Sequence, residues 1–449
     1  MSRTKTYCRY FFNHVALYNG RASNPCCRYS KTSDNQKPVA YPKQPLVTFS
    51  ETFYSDTWKE LRRKAMAGEP DDGCHKCYDE ENRGIRSLRQ MANEMMSEDK
   101  MNVRTVMKNK EKGDWTEVLD FIQTPKLTYI EMNLGNYCNL ACNICSSSLS
   151  TKWEEDDIKL NENGFKREVF HPDTELKIKY NKEDYKDVNF IKFVGGEPML
   201  HPKFISMLDF IIETGYSKNI TLQVFTNASW VPKDKVVSRL KQFKKVRISL
   251  SIDGTEKVND YTRHLSSWET VNATAREWLK ISMQYDWFQI KWEPTLSVYN
   301  ANHITEMTQW WIETCMEIRL NKRGNMSFED SLYLEDENDI NIYFNNVNYP
   351  KYLAPNIYPS HEEDYNIENY CNTLNERYYK AGRDRNMLVM RELKSMIRKG
   401  KELINSKPTT KDIIDFKKYH ALLDKQRNKD ITKSLPDLWQ KVNKILDKS

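Results

Sequence analysis

The chain has 449 residues, of which 39% are hydrophobic and 29% charged, and its formal net charge at pH 7 is +6. This size and balance predict a globular protein with a large core and more than one domain. No run of about 18 apolar residues occurs, which argues against a membrane-spanning helix, and the first residues form no apolar secretion signal. We therefore expect a cytoplasmic protein without a membrane partner, and the mild positive charge does not indicate nucleic acid.

The ten cysteines occur in groups along the chain. In a cytoplasmic protein, grouped cysteines favour binding of a metal or an iron-sulfur cluster over disulfide formation. Cys315 and Cys371 stand alone, and we interpret both as ordinary buried thiols in helices.

The N-terminal region predicts a β-hairpin that carries cysteines. Apolar residues alternate between positions 7 and 18 and lead to Asn19-Gly20, a pair typical of hairpin turns. The return arm ends at Cys26 and Cys27, which brings this vicinal pair near Cys8.

A short amphipathic helix is predicted over 57–66, and a polar turn with Cys74 and Cys77 follows it. The N-terminal region thus offers four or five thiolates, enough for a zinc ion or for an iron-sulfur cluster. By ligand type alone, both alternatives stay open. The candidate ligands are Cys8, Cys26 or Cys27, Cys74 and Cys77.

In the central region, short runs rich in β-branched and aromatic residues alternate with helical patterns. The runs cover 127–132, 188–194, 220–225, 246–252, 288–292 and, more weakly, 326–328, with helices predicted over 202–214, 233–243, 268–282 and 304–319. This alternation predicts parallel βαβ units. Six strands predict an α/β fold, a partial (β/α)6 TIM-like barrel with its functional residues at the carboxyl ends of the strands. We interpret the polar segment 161–187 as a surface insertion, with a lid or a partner-binding loop as alternatives.

Cys138, Cys142 and Cys145 follow the first central strand with the spacing C-x3-C-x2-C. Three thiolates on one loop can hold three irons of a 4Fe-4S cluster, which leaves the fourth iron for a small-molecule ligand. A purely structural cluster or zinc site would require four protein ligands. The loop therefore predicts a cluster that binds a further molecule.

The second central strand ends in Gly195-Gly196-Glu197-Pro198. Glycines allow the backbone to approach a ligand closely, and a carboxylate beside them can accept an ammonium group. An isolated motif of this kind would be read as an ordinary strand-to-helix turn. Its position one strand after the cysteine loop favours a ligand site instead.

Polar side chains also follow the third and fourth strands. The third strand ends in Thr226-Asn227, and the fourth carries Ser249 and Ser251. The two serines point to the same face because side chains alternate along a strand.

Asp253-Gly254 and Arg263 come next in the chain. The Asp-Gly pair is as typical of a turn as it is of a direct contact with a ligand. Arginine suits the bidentate binding of a carboxylate, and a solvent-exposed arginine is the alternative.

These motifs, in this order, resemble the radical S-adenosylmethionine (radical SAM) superfamily. The resemblance implies that Cys138, Cys142 and Cys145 hold a catalytic 4Fe-4S cluster. It also implies an S-adenosylmethionine (SAM) site made of Gly195, Gly196, Glu197, Pro198, Thr226, Asn227, Ser249, Ser251 and Arg263. The chain departs from the family pattern at Ile144, where an aromatic residue is usual.

The N-terminal features resemble the twitch or SPASM type of auxiliary iron-sulfur module, which usually follows the barrel and here precedes it. The resemblance implies a second 4Fe-4S cluster, held by Cys8, Cys26 or Cys27, Cys74 and Cys77. The implied domains are a cysteine-rich module over 1–125, the barrel over 126–335 and a tail over 336–449. The tail is predicted to be a loop followed by helices over 367–381, 387–400, 411–425 and 436–446.

The implied activity is reductive cleavage of SAM to a 5'-deoxyadenosyl radical, which takes a hydrogen atom from a peptide or protein. An external donor such as flavodoxin or ferredoxin would supply the electron. A sugar, nucleoside or other small molecule is the alternative substrate. A non-catalytic iron-sulfur protein, in electron transfer or redox sensing, is an alternative of a different class; the motif Gly195–Pro198 argues against it because electron transfer requires no ammonium site.

Overall fold

A computed structural model describes residues 6–18, 22–29, 48–82, 87–94, 125–171, 179–230, 234–323, 342, 345–347, 349–358 and 408–446. Several predicted features lie outside these ranges: the Asn19-Gly20 turn, the strand over 326–328, Cys371, and the helices over 367–381 and 387–400.

The described strands are β1 (His14–Tyr18), β2 (Ala22–Asn24), β3 (Tyr129–Asn133), β4 (Phe190–Val194), β5 (Thr221–Thr226), β6 (Lys245–Leu250), β7 (Phe288–Trp292), β8 (Thr295–Leu296) and β9 (Asn345–Asn346). The described helices are α1 (Tyr10–Asn13), α2 (Phe49–Phe53), α3 (Asp56–Ala67), α4 (His75–Asn82), α5 (Leu88–Glu94), α6 (Glu154–Glu162), α7 (Phe204–Glu213), α8 (Asp234–Leu240), α9 (Glu256–Thr262), α10 (Trp268–Ser282), α11 (Ile304–Arg323), α12 (Thr410–Arg427), α13 (Ile431–Ser434) and α14 (Pro436–Leu446).

The main sheet has the strand order β2-β1-β3-β4-β5-β6-β7. β1 pairs with β3, β3 with β4, and β6 with β7 in parallel, whereas β2 is antiparallel to β1. The predicted α/β fold class, a partial TIM-like barrel with a parallel six-stranded sheet, is thereby confirmed. Five of the predicted central strands are present, with ends within two residues of the predicted ones.

The sixth parallel strand is β1, from a segment that the sequence interpretation assigned to the separate cysteine-rich module. The hairpin of β1 and β2 is confirmed, and its first arm is shorter than predicted because residues 10–13 are helical. After α11, the chain returns to the sheet at Ile342, which pairs in parallel with Trp292, and β9 then pairs with β8.

The chain divides into two compact units. The first comprises Met1–Gly135, Asp173–Gln223 and Arg239–Lys244, and the second comprises Asn136–Pro172, Val224–Ser238 and Lys245–Ser449. These bounds differ from the domain boundaries implied by resemblance, at 125/126 and 335/336, which stay predictions.

In the first unit, alternate residues of the strands form the core. Ile191 and Phe193 of β4 are fully buried, whereas Phe190, Lys192 and Val194 are half-buried, so the two faces of the strand differ. A separate apolar cluster surrounds the N-terminal cysteines. Its buried members are Tyr7, Cys8, Tyr10, Phe11, Phe12, Cys26, Tyr29, Leu61, Ala65, Met66 and Ala92.

In the second unit, the C-terminal helix α12 contributes to the core. Thr409 and Asp412 form a capping box at its start, and Asn428 ends it in a left-handed conformation with φ of 50°. Ile413, Phe416 and Leu423 are buried in one cluster with residues of the central region. The C-terminal helices over 410–427 and 436–446 agree with the predicted ones.

No helix in the described part of the chain combines the length and the apolar character needed to cross a membrane.

Candidate functional site

The three cysteines of the central loop lie in turns that follow β3. Cys138, Cys142 and Cys145 are all half-buried, and the backbone N–H of Cys145 donates to the carbonyl of Cys142 at 2.9 Å. Burial raises the pKa of Cys145, and the neighbouring Cys142 and Cys138 raise it further. A bound cation would oppose these effects and favour the thiolate form.

Two of the predicted site residues contact these sulfurs. The side-chain amide of Asn227 lies 3.9 Å from Cys138 Sγ, and Arg263 Nη1 lies 3.9 Å from Cys142 Sγ. Burial raises the pKa of Cys142, while the charge of Arg263 opposes this rise. Arg263 follows α9, is buried beside the cysteine loop and is not a surface residue.

Arg263 is held by Asp253, whose Oδ2 lies 2.7 Å from Arg263 Nη2, and both side chains are almost fully buried. Asp253 Oδ1 accepts a hydrogen bond from the backbone N–H of Thr295 at 2.8 Å. The turn interpretation of Asp253 is therefore incomplete, because this carboxylate forms a buried ion pair that orients the arginine.

The other predicted polar residues of this unit differ in their surroundings. Ser249 is fully buried, and its hydroxyl donates to Glu293 Oε1 at 2.8 Å, whereas Ser251 is half-buried. Thr226 Oγ1 accepts from the backbone N–H of Ala228 at 3.3 Å. Glu293, which the sequence reasoning missed, also pairs with Lys291 Nζ at 3.2 Å.

Part of the segment 161–187 holds the cysteine loop. Arg167 Nη2 donates to the carbonyl oxygen of Cys145 at 2.7 Å, and Arg167 Nε donates to Asp157 Oδ1 at 2.8 Å. Asp157 in turn accepts from the backbone N–H of Ser147 at 2.7 Å. No residue of the described part, 161–171, is buried, as expected of a surface insertion, but Arg167 reaches the cysteine loop. A lone arginine in a polar segment offered no signal of this role.

In the first unit, the turn after β4 has the backbone expected of its glycines. Gly195 and Gly196 have φ of 84° and 50°. A Cβ on Gly195 would collide with the Asn133 side chain and lie 2.9 Å from the carbonyl oxygen of Gly135. Glu197 is fully buried, and Pro198 begins a short 3-10 turn. A buried carboxylate next to such a close backbone approach suits a ligand that carries positive charge.

The N-terminal cysteines also belong to the first unit. Cys8, Cys26 and Cys77 are buried, Cys74 is half-buried, and Cys27 is exposed. Burial raises the pKa of Cys8 to about 12, and the nearby Cys77 contributes to the rise.

Cys26 and Cys27 differ in the titratable groups that lie near them. Burial raises the pKa of Cys26, and the neighbours Cys27, Cys8 and Cys74 raise it further. Cys27 instead lies near Glu131 of β3 and Lys192 of β4. Cys26 thus has Cys8 and Cys74 as neighbours beyond the pair itself, whereas the sequence left the choice between Cys26 and Cys27 open.

A network of side chains fixes the turn that carries Cys74. Asp71 accepts hydrogen bonds from the Gly73 backbone at 3.0 Å and from the Tyr29 hydroxyl at 2.9 Å, and it pairs with Lys64 Nζ at 3.1 Å. A Cβ on Gly73 would overlap the ring of Tyr29. This glycine is therefore required by close packing and not by its backbone angle.

Two arginines lie beside these cysteines and are paired with acidic residues. Arg28 pairs with Glu80, and Arg89 pairs with Glu81. Arg89 also donates to the carbonyl of Tyr7 at 2.7 Å, directly before Cys8. The positive charges favour thiolates in an otherwise apolar environment.

No three His, Cys, Asp or Glu side chains of the described residues converge on a position for a single metal ion. Thiolates that bind one tetrahedral zinc stand about 3.8 Å apart, because each Zn–S bond is about 2.3 Å long. The thiolates of a 4Fe-4S cluster bind different irons and stand further apart. For the N-terminal cysteines, an iron-sulfur cluster and a zinc ion therefore both stay open.

Comparison with known proteins supports the interpretation of the central region. Residues 132–282, about a third of the chain, match the model of the Radical SAM superfamily. The match spans the cysteine loop, the Gly195–Pro198 turn, and Arg263 with its partner Asp253. Residues 132–282 are therefore similar to the domain that this superfamily shares.

Solved structures of radical SAM enzymes show similarity at low identity. SuiB of Streptococcus suis bound to the precursor peptide SuiA is 14% identical, with 47% of this chain and 50% of that chain covered and a TM-score of 0.30. Native anSMEcpe with bound AdoMet is 14% identical, with coverage of 57% and 63% and a TM-score of 0.36. The same protein with AdoMet and the Cp18Cys peptide is 15% identical, with coverage of 58% and 62% and a TM-score of 0.33. The chain thus spans between half and two thirds of the length of these structures.

Proposed function

We propose that this protein cleaves SAM reductively at a 4Fe-4S cluster held by Cys138, Cys142 and Cys145. Such a cluster, when reduced, supplies the electron that splits SAM into methionine and a 5'-deoxyadenosyl radical, which takes a hydrogen atom from the substrate. The observation that carries the proposal is a loop of three adjacent, half-buried thiols within a matched radical SAM domain.

In this proposal, the residues of the second unit hold and orient the bound groups. Arg263, fixed by its buried ion pair with Asp253, would bind the carboxylate of SAM. Asn227 would contact the site beside Cys138, and Thr226 shapes the turn that carries it. Ser251 is the better candidate for the ribose, since the hydroxyl of Ser249 donates to Glu293.

The residues of the first unit would hold the amino group of SAM. Glu197 is fully buried, and in this role an ammonium group would compensate the cost of burying its carboxylate. Gly195 and Gly196 would allow the backbone to approach the same group, and Pro198 stiffens the turn that follows.

We further propose an auxiliary 4Fe-4S cluster on Cys8, Cys26, Cys74 and Cys77. The support comes from the mutual proximity of these four thiols, their apolar surroundings and the paired arginines beside them. The resemblance to twitch and SPASM modules favours a peptide or protein substrate over a small molecule. A reduced flavodoxin or ferredoxin is the proposed electron donor.

The cleavage reaction is tested with the anaerobically reconstituted full-length chain, SAM and dithionite. We expect 5'-deoxyadenosine from the wild type and from Cys315→Ala, which removes a buried cysteine outside both groups. The Cys138→Ala/Cys142→Ala/Cys145→Ala chain, the triple alanine variant, should produce none. A fully reconstituted wild type that never forms 5'-deoxyadenosine would contradict the proposed activity.

The substrate class is tested with a lysate of cells grown on deuterated medium, separated by dialysis into retained and dialysable fractions. A peptide or protein substrate should transfer deuterium to 5'-deoxyadenosine from the retained fraction, measured by mass spectrometry. Labelling from the dialysable fraction alone would assign a small-molecule substrate instead.

A further inference from the structure

The last residue of helix α12 contacts the cysteine loop. Arg427 Nη1 donates to the carbonyl oxygen of Ala141 at 2.9 Å and to Asn143 Oδ1 at 2.6 Å. Ala141 and Asn143 flank Cys142 in sequence. One guanidinium therefore holds both neighbours of the middle cysteine.

The position of Arg427 is itself strongly determined. Its Nη2 lies 2.6 Å from Asp156 Oδ2 in helix α6, and the two side chains are only 4% and 8% exposed. The guanidinium carbon also lies 4.4 Å from the ring centre of Trp153. The planar, fully ionised guanidinium suits this combination of an ion pair, two hydrogen bonds to the loop and stacking on a ring. A lysine could not reproduce it.

Two further side chains hold the carbonyl groups of the same stretch. Trp153 Nε1 donates to the carbonyl oxygen of Cys142 at 2.9 Å, and the hydroxyl of Tyr419 donates to that of Asn143 at 2.8 Å. Three consecutive carbonyls, those of residues 141 to 143, thus have side-chain donors. Two of the three donors, Arg427 and Tyr419, come from α12.

We propose that Arg427 is a positioning residue for the cluster on Cys138, Cys142 and Cys145, and that helix α12 is thereby part of the cluster site. This inference rests on the proposed function. Its physical basis is that outer groups which fix the ligands of a metal centre change its affinity by about 10-fold to 100-fold when they are removed. The hydrogen bonds to residues 141–143 set the direction of Cys142 Sγ before iron binds.

The test uses the full-length chain after anaerobic reconstitution, with Arg427→Gln as the variant. Lys425→Gln is the matched control, because it removes a positive charge from an exposed position on the same helix. For Arg427→Gln we expect about 10-fold faster loss of the SAM-sensitive electron paramagnetic resonance signal in the presence of a chelator. We also expect a more negative midpoint potential, since Asp156 keeps its charge without its partner. Lys425→Gln should match the wild type in both.

Arg427→Lys and Tyr419→Phe distinguish positioning from general stability. Arg427→Lys keeps the positive charge but loses the planar group that donates several hydrogen bonds at once. Compared with Arg427→Gln, it should therefore bring the midpoint potential closer to the wild-type value than it brings the resistance to chelator. Tyr419→Phe keeps the buried ring and removes one hydrogen bond, so it should fold and show a smaller loss of resistance. It also provides the decisive measurement if Arg427→Gln does not fold.

If Arg427→Gln or Tyr419→Phe binds a cluster that has the wild-type resistance to chelator and the wild-type midpoint potential, the positioning role is overturned. Absence of any SAM-sensitive signal in the wild type itself would instead reject the proposed function. The two failures are therefore distinguishable.

Discussion

At the scale of single residues, the vicinal pair Cys26-Cys27 shows what burial adds to a sequence motif. Both cysteines have the same chemistry and nearly the same position along the chain. Cys26 lies among Cys8 and Cys74, whereas Cys27 is exposed and lies near Glu131. Only the direction of each side chain from the return arm of the hairpin separates them.

The vicinal pair leads to a prediction in the triple alanine variant, where bound iron reports the N-terminal group alone. Cys27→Ala should retain about four irons per chain after reconstitution, and Cys26→Ala should retain far less, because a cluster with three thiolates is less tightly held. Iron and sulfide analysis measures the difference. The reverse pattern would assign Cys27 as the ligand, and iron retention in both would remove the pair from the cluster.

Gly195 allows a second prediction, on stability. Gly195→Ala combines a positive φ with a collision against Asn133, whereas Gly215→Ala has φ of 83° and no atom within 4 Å of the added Cβ. We expect Gly195→Ala to lower the free energy of unfolding by about 1–3 kcal/mol more than Gly215→Ala does. Denaturant titration of both variants measures this. Equal losses would mean that backbone strain alone requires the glycine.

At the scale of elements, the turn before α4 shows how a motif is supported from distant parts of the chain. Asp71 receives hydrogen bonds from Gly73 next to it and from Tyr29, 42 positions earlier. Burial raises the pKa of Asp71, but the hydrogen bonds from Tyr29, Lys64 and Gly73 lower it more, so the net pKa lies below its ordinary value. The carboxylate is therefore ionised at neutral pH and keeps the turn closed.

We expect Asp71→Ala to reduce iron binding by the N-terminal group and leave SAM cleavage by the central loop largely intact. The loss should be accompanied by about 1–2 kcal/mol of destabilisation, the usual cost of removing a capping carboxylate. Asp72→Ala is the control, since this neighbouring side chain is exposed. Equal iron content in the two variants would show that the turn does not depend on Asp71.

At the scale of the whole molecule, both cysteine groups lie in or beside apolar cores: Cys8 and Cys26 belong to one, and the half-buried Cys145 packs against the other. Any group that binds only the folded chain stabilises it by mass action. Removal of iron by an anaerobic chelator should therefore lower the midpoint of thermal unfolding by about 5 °C or more. The triple alanine variant should keep part of this shift, through the N-terminal group.

Zinc added in place of iron and sulfide serves as the control for this experiment. It should restore little stability if the groups are built for iron-sulfur clusters, since a single zinc ion cannot bridge thiolates that bind different irons. An unchanged midpoint after complete removal of iron would indicate that neither group binds a cluster in the folded protein. Full recovery with zinc alone would favour a zinc site.

Local patterns in the sequence were sufficient to predict five central strands, the cysteine loop, the glycine turn after β4 and two C-terminal helices. These features depend on residues that are neighbours along the chain, such as alternating apolar residues, paired glycines and capping residues. For Arg263, the sequence allows both a carboxylate-binding role and a solvent-exposed position. Its buried ion pair with Asp253 excludes the exposed position.

Only the tertiary structure decided the remaining features. β1 joins the sheet beside β3 although more than 100 residues separate them, Arg167 and Arg427 hold the backbone of the cysteine loop, and Cys26 is buried whereas Cys27 is exposed. Each of these depends on which distant segments meet when the apolar faces are buried. A lone arginine or one member of a cysteine pair has no periodicity, so its function is defined by its contacts and not by its neighbours in sequence.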